Sequence, residues 1–277
     1  MITALPRVAI AVTGFDQTLK LFRDQLGLAV VDISESSTRD LGAKIAVCVP
    51  KIGSNIEIMS PHDPEKPLSQ SLSRFLDRRG DGLFALMLES PDPNAEASKL
   101  INEGLKVLPL MAGAGGRDIH PSSTHGVLIR IYPENSFDRQ EPKTEWDIGI
   151  SGIVSVGIAV RNLDVATKVY SNRLEMQVVE SGYHSDTGFN YNVLKPLKGG
   201  SVELFGSDGF TQQEGSALTE ELYQNGEGMK YLTLSAPDLE ACYQELIARE
   251  VEARLVNDRI LIASPFLGGA RLEIVSR

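Results

Sequence analysis

The sequence predicts an α+β fold built from four copies of one βαβββ unit. Three observations predict it. A β-rich run followed by an amphipathic helical segment occurs four times, the first and third copies match along their length, and a polar stretch divides the second from the third.

The first unit opens with RVAIAV at Arg7 to Val12, a strand signature. Asp16 then precedes Leu19, Phe22 and Leu26, which share one face at helical spacing. The short alternating runs KIAVCVP and SNIEIMSP complete the unit. The second opens with FALMLE at Phe84 to Glu89 and continues into a helix across Asp92 to Glu103. The third opens with SVGIAV at Ser155 to Val160, runs through a helix over Leu163 to Leu174, and adds NYNVLKP and SVELFGS. The fourth pairs YLTLSA at Tyr231 to Ala236 with a helix over Pro237 to Arg249. RVAIAVTGFDQTLKLFRDQLGLAVV and SVGIAVRNLDVATKVYSNRLEMQVV align end to end, so residues 1–135 resemble residues 150–277. Between them, residues 136–149 are polar, charged and broken by Pro142, and read as a linker with Trp146 as a packing anchor.

A chain of 277 residues suits two domains of ordinary size. Its 42% hydrophobic and 23% charged content is that of a globular protein able to offset the entropy of ordering. A net charge of -10 with no run of Lys and Arg excludes a phosphate-tracking surface, so no nucleic acid is expected. Cys48 and Cys242 are too few for a disulfide framework or a four-cysteine zinc site, and read as core thiols. The N-terminal MITALPRVAIAVTGF shows no cleavage pattern, and no apolar stretch approaches twenty residues. The expectation is a cytoplasmic protein, no membrane, monomer or homodimer, with a small-molecule partner.

PLSQSLSRFLDRRGDGLFALMLE at Pro67 to Glu89 and GAGGRDIHPSSTHGVLIRI at Gly113 to Ile131 carry a resemblance. With the paired βαβββ units, they make the chain similar to the vicinal oxygen chelate superfamily (glyoxalase, bleomycin resistance, extradiol dioxygenase), the first half most of all to methylmalonyl-CoA epimerase-like proteins. The resemblance implies two curled mixed-sheet cups, each with inward-facing ligands, commonly His, Glu or Gln, His and Glu, that suit a divalent ion. Carried over, those positions fall on Arg7, Glu57, Ala85 and Arg130 in the first half, and on Ser155, Glu203, Tyr231 and Glu273 in the second. Both sets lack both histidines, so the expectation is no metal and no cofactor. None of His62, His120, His125 and His184 lies at such a position, although His184 sits in a loop able to approach a pocket.

Two carboxylates facing one cavity cannot both ionise cheaply, so Glu203 and Glu273 are expected to form a proton donor beside an acceptor. The epimerase resemblance also implies an acidic residue before a glycine on the second strand. Asp40 in DLG and Asp186 in DTG lie near that place. Asp186 reads as an acid or base sharing a cavity with Glu203, Glu273 and the Tyr231 hydroxyl, or as a turn residue capping its own backbone. Arg7 and Arg130 read either as a fork for an anionic substrate or as a salt-bridged cluster with Glu57 that closes a disused pocket. GAGGR, with Arg117, reads as a phosphate-approaching loop or a flexible connection, and His120 and His125 as surface groups. Units pair within halves, or exchange to group Arg7, Glu57, Tyr231 and Glu273.

The expected function is a metal-independent isomerase, epimerase or lyase that moves a proton next to a carbonyl of a small carboxylate or thioester. Asp186, Glu203, Glu273 and Tyr231 are its expected catalytic residues. Arg7, Glu57, Arg130, Ser155 and Asp40 are expected to bind the substrate, which is anionic or a CoA ester. The alternative is a non-catalytic protein that binds a drug or metabolite. A metal-dependent dioxygenase or glyoxalase needs at least two more strong ligands.

Overall fold

Strand-forming runs and capped helices alternate as the periodicity predicts. The computed structural model describes residues 1–111, 113, 115–136, 144, 147–184, 188–206, 226–263 and 270–276. The first half contains β1 (Ala4–Ala11), α1 (Phe15–Lys20, continued by a π turn Leu21–Gln25), β2 (Val30–Asp32), α2 (Ser34–Leu41), β3 (Ala43–Cys48) and β4 (Asn55–Pro61). It continues with α3 (Pro67–Arg79), β5 (Gly82–Ser90), α4 (Pro93–Asn102), β6 (Arg117–Ile119) and β7 (Leu128–Pro133). The second half contains β8 (Ile153–Val160), α5 (Leu163–Lys168, continued by a π turn Val169–Arg173), β9 (Gln177–His184), β10 (Phe189–Lys195), β11 (Lys198–Gly199) and β12 (Ser201–Gly206). It ends with β13 (Gly228–Ala236), α6 (Leu239–Ala248), β14 (Ala253–Val256), β15 (Arg259–Ile262) and β16 (Arg271–Ser276).

Three helices start on side-chain caps that the sequence announces. Asp92 accepts from the Asn94 and Ala95 amides, Asn162 from Val165 and Asp238 from Ala241, each answering a donor that lacks an intrahelical partner.

Units pair within halves. One sheet has the order β2-β3-β4-β1-β5-β7-β6, with β11 added beside β1, and the other β14-β15-β16-β13-β8-β12-β10-β9. At the centre of each, the opening strands run antiparallel, β1 on β5 and β8 on β13, while β4, β7, β12 and β16 each lie parallel to the opening strand beside them and antiparallel to the strand beyond. Both sheets are therefore mixed, and neither closes on itself. Grouping Arg7 and Glu57 with Tyr231 and Glu273 does not occur.

Alternation along the strands gives each sheet two faces. Val8 and Ile10 of one sheet and Val156 and Ile158 of the other join Phe22, Tyr170 and Leu246 in one continuous core spanning both halves. Each fully buried Leu, Ile or Phe there contributes about 1.5–3 kcal/mol. Cys48 and Cys242 belong to this core, and burial pushes the Cys242 thiol up to about 11.

The opposite face of the first sheet is a cup filled from within. In α3, Pro67 stands in the first turn and Leu68, Leu72, Phe75 and Leu76 recur at helical spacing. They pack on Ala9, Ile45, Val47, Met59 and Met87, with Phe75 edge-on to Phe84 at 5.3 Å.

The halves are also stitched by backbone. β11 runs parallel to β1 with Gly199 opposite Leu5. A Cβ on Gly199 would lie 2.1 Å from the Leu5 carbonyl oxygen, so the contact requires glycine. Ser54, fully buried, donates to the Leu5 carbonyl and accepts from the Gly200 amide at 2.8 Å, while its backbone exchanges two bonds with Ile153.

Candidate active site in the second cup

Register decides which side chains share a level. Ser201, Ser155, Thr233 and Glu273 are mutual partners across β12, β8, β13 and β16. The next level holds Glu203, Gly157, Tyr231 and Arg271. Thr233, not Tyr231, stands beside Ser155 and Glu273, because Tyr231 is one pleat repeat further along its strand. The first half repeats the pattern, with Arg7, Asn55, Met87 and Arg130 on one level and Glu57, Ala9, Ala85 and Leu128 on the next.

Tyr231 reaches Glu203 by lying across the strand between them. A Cβ on Gly157 would meet the Tyr231 ring at 2.1–2.4 Å, so the missing side chain is the space the ring occupies. The Tyr231 hydroxyl donates to Glu203 Oε1 at 2.6 Å. His184 Nε2 contacts the same oxygen at 2.7 Å. Burial, with the Glu203 charge behind it, pushes the Tyr231 hydroxyl well above the ordinary tyrosine range and keeps it a donor.

An aromatic wall backs this group. His184 stacks on Tyr191 at 4.3 Å and Phe205 on Tyr231 at 5.3 Å, and Tyr191 is oriented by its bond to Glu180 at 2.7 Å. On the other side, buried Glu273 accepts from the Thr233 hydroxyl at 2.7 Å and from Arg259 at 3.0 Å. Burial alone lowers the Arg259 pKa, but the Glu273 charge outweighs it and holds the guanidinium above its usual value. Arg271 lies over the Tyr231 ring at 5.7 Å. The Ser155 hydroxyl is buried on this face without a hydrogen-bond partner among the described residues.

Glu203 and Glu273 therefore have separate donors, Tyr231 and His184 for one and Thr233 and Arg259 for the other. Asp186 lies outside the described residues. His184, Thr233, Arg259 and Tyr191 complete the cup and escaped the sequence reading. His184 alone left a trace there, as the histidine whose loop could approach a pocket.

In the first cup the sequence-predicted residues meet, but inside the core. Arg7 Nε lies 3.0 Å from Glu57 and its guanidinium 5.1 Å from the Tyr132 ring. Arg130, 2% exposed, grips both carboxylate oxygens of Asp118 at 2.5 and 2.6 Å. Burial alone lowers the Arg130 pKa, and the Asp118 bond reverses that and raises it. Arg7–Glu57 and Arg130–Asp118 are thus two buried ion pairs on either side of Tyr132, whose hydroxyl feels the charges of Arg7, Glu57 and Arg130.

Asp40 is corrected. The DLG segment is not a strand but the end of α2, where Gly42 takes the left-handed φ of 74°. That turns Asp40 outward, where it pairs with Arg39 at 2.9 Å. A solvent-open depression of about 480 Å3 lies nearby, lined by Thr38, Arg39, His62, Asp63 and Pro64, and touches neither cup's charged residues.

The donors do not fit a divalent ion. The carried-over residues are Ser155, Glu203, Tyr231 and Glu273, with no histidine among them, and both carboxylates are already engaged, Glu203 by Tyr231 and His184 and Glu273 by Thr233 and Arg259. Among the described residues, no three of His, Cys, Asp and Glu converge as ligands. No helix of the described residues is long and apolar enough to cross a membrane.

No family model matches the sequence, and no curated protein matches it. Solved structures do. A triple mutant of 4-hydroxymandelate synthase from Streptomyces coelicolor superposes with a TM-score of 0.73 at 14% identity, covering 100% of this chain and 94% of that one. A xylose isomerase-like TIM barrel/4-hydroxyphenylpyruvate dioxygenase fusion protein gives 0.68 at 12% identity, covering 100% of this chain, which spans 49% of the fusion. Methylmalonyl-CoA epimerase from Mycobacterium tuberculosis gives 0.40 at 27% identity over 46% of this chain and 89% of that one. At the level of fold, the chain is the tandem vicinal oxygen chelate architecture that the four units predict.

Proposed function

We propose that the second cup moves a proton next to the carbonyl of a small carboxylate or thioester, as an isomerase, epimerase or lyase does. The observation that carries this reading is the double contact on Glu203 Oε1, from the Tyr231 hydroxyl and from His184 Nε2. A carboxylate facing Nε2 fixes the tautomer with the proton on Nε2, which leaves Nδ1 with its lone pair, ready to act as a base. His184 removes the proton, the electron pair moves onto the carbonyl oxygen, and the same imidazolium returns the proton when the enolate collapses. Glu203 stabilises that imidazolium, and Tyr231 holds Glu203 in place. Asp186, two residues beyond His184 in the sequence, is the proposed second acid.

The test is α-hydrogen exchange in D2O, followed by NMR, over a panel of acyl-CoA thioesters and small 2-oxo acids. Exchange with at least one panel member is expected, falling about 100-fold or more in H184Q and E203Q. A specific observation favours a second reading, binding without chemistry: the wall of stacked rings and the paired charges around it. Saturable binding of a panel member, with no exchange in the wild type, would establish that reading instead.

A further inference from the structure

The mismatch between the second cup and a divalent ion points to a replacement. Glu273 sits at the last carried-over position, 5% exposed, with Thr233 beside it on the same level and Ser155 opposite. An isolated buried carboxylate is costly, and in a metal site the ion offsets that cost. Here Arg259, from β15, supplies the positive charge at 3.0 Å. It is also near enough to Glu203 for that charge to act on it.

The first cup supplies an independent parallel with the signs reversed. There the equivalent of Glu273 is Arg130, and the charge that neutralises it, Asp118, comes from β6, the neighbour of β7 as β15 is of β16. Both cups therefore close the same place with an arginine–carboxylate pair between adjacent strands. They differ in access. The Arg130–Asp118 side chains are 2% and 7% exposed, whereas Arg259 is 47% exposed against 6% for Glu273. One cation is sealed in the core and the other faces the cup.

We infer that Arg259 is a built-in cation that takes the place of a divalent ion in the second cup and presents a fixed positive charge to a ligand oxyanion. The role given to the ligand rests on the reading of this cup as the working site; the substitution for an ion does not. A guanidinium suits the task because it stays charged and has donors to spare after binding one carboxylate oxygen.

The experiment is Mn2+ binding, followed by electron paramagnetic resonance, to the wild type, R259A, R259Q, R259K and R259A/E273Q, with circular dichroism as the check of folding. The expected result is at least tenfold tighter Mn2+ binding by R259A and R259Q than by the wild type. The gain should be absent in R259K, which keeps a cation, and lost in the double variant, which removes the carboxylate. Added guanidinium chloride should compete with Mn2+ in R259A. Tight Mn2+ binding by the wild type, equal binding by wild type and both neutral variants, or a gain in R259K as large as in R259A overturns the inference. The titration needs no turnover, so absence of hydrogen exchange would sink the proposed reaction and leave this result standing.

Discussion

The two cups are one scaffold filled in two ways. In the first, α3 lays Leu68, Leu72 and Phe75 across the sheet, and the charged residues beneath are buried with their partners. In the second, the described residues leave a small apolar group, Ala159, Phe205 and Tyr231 with Tyr191, edged by partly buried His184 and half-exposed Arg259. Hydrophobic filling and accessible polar chemistry compete for the same concave face. Duplication lets one copy take each.

The largest expected effect sharpens this contrast. Arg130→Ala leaves Asp118 buried without its partner and should cost about 3–5 kcal/mol in urea unfolding, whereas replacing the pair by R130M/D118L should recover most of it. Arg259→Ala, at a half-exposed cation, should cost about 1–2 kcal/mol. Equal losses for Arg130→Ala and Arg259→Ala would erase the distinction between a sealed and an accessible cation.

A smaller effect separates the central levels. Ala9 and Gly157 are equivalent, but only Gly157 lies under a ring. Gly157→Ala should displace Tyr231 from Glu203 and cost about 1–3 kcal/mol, and Y231A should suppress that cost. Ala9→Gly should cost about 0.5–1 kcal/mol. Additive losses for G157A and Y231A would show that the ring does not depend on the missing Cβ.

The smallest effect lies where the halves meet. Glu227 accepts from the Arg161 amide at 2.7 Å and contacts His125 at 3.0 Å. Burial alone raises its pKa, but His125 and the Arg161 amide outweigh it, so its carboxyl sits below the ordinary glutamate value. A depressed folded pKa gives stability that is present above the unfolded value and lost as pH falls through the folded one. The gap between wild type and E227Q should be at most about 1 kcal/mol at pH 7 and should close on acidification below the glutamate range. A gap that widens in acid would reverse the assigned sign.

Much of this was legible in the chain. Period-two runs and capped helices name their own elements, and so the four openings appear near where the sequence puts them. What escaped depended on contacts between distant segments. The repeat cannot say whether units pair within halves, since either arrangement buries the same faces. The two-residue offset between Tyr231 and Thr233 is invisible until β13 is laid beside β8, because both residues point to the same face. PLSQSLSRFLDRR has helical spacing, yet nothing local says that it fills a cup. His184 gains meaning only when β9 brings it to Glu203, nineteen residues away.

Ser54 and the β11 strap impose a condition on the chain's solubility as well as its shape. The side of each sheet remote from its cup belongs to one core that it shares with its own helices and with the other half, and Ser54 fastens the seam to Leu5, Ile153 and Gly200. A half released from this arrangement would expose an apolar surface of the kind that drives aggregation. Either copy expressed alone should therefore be less soluble than the whole chain, which makes each half a solvent shield for the other.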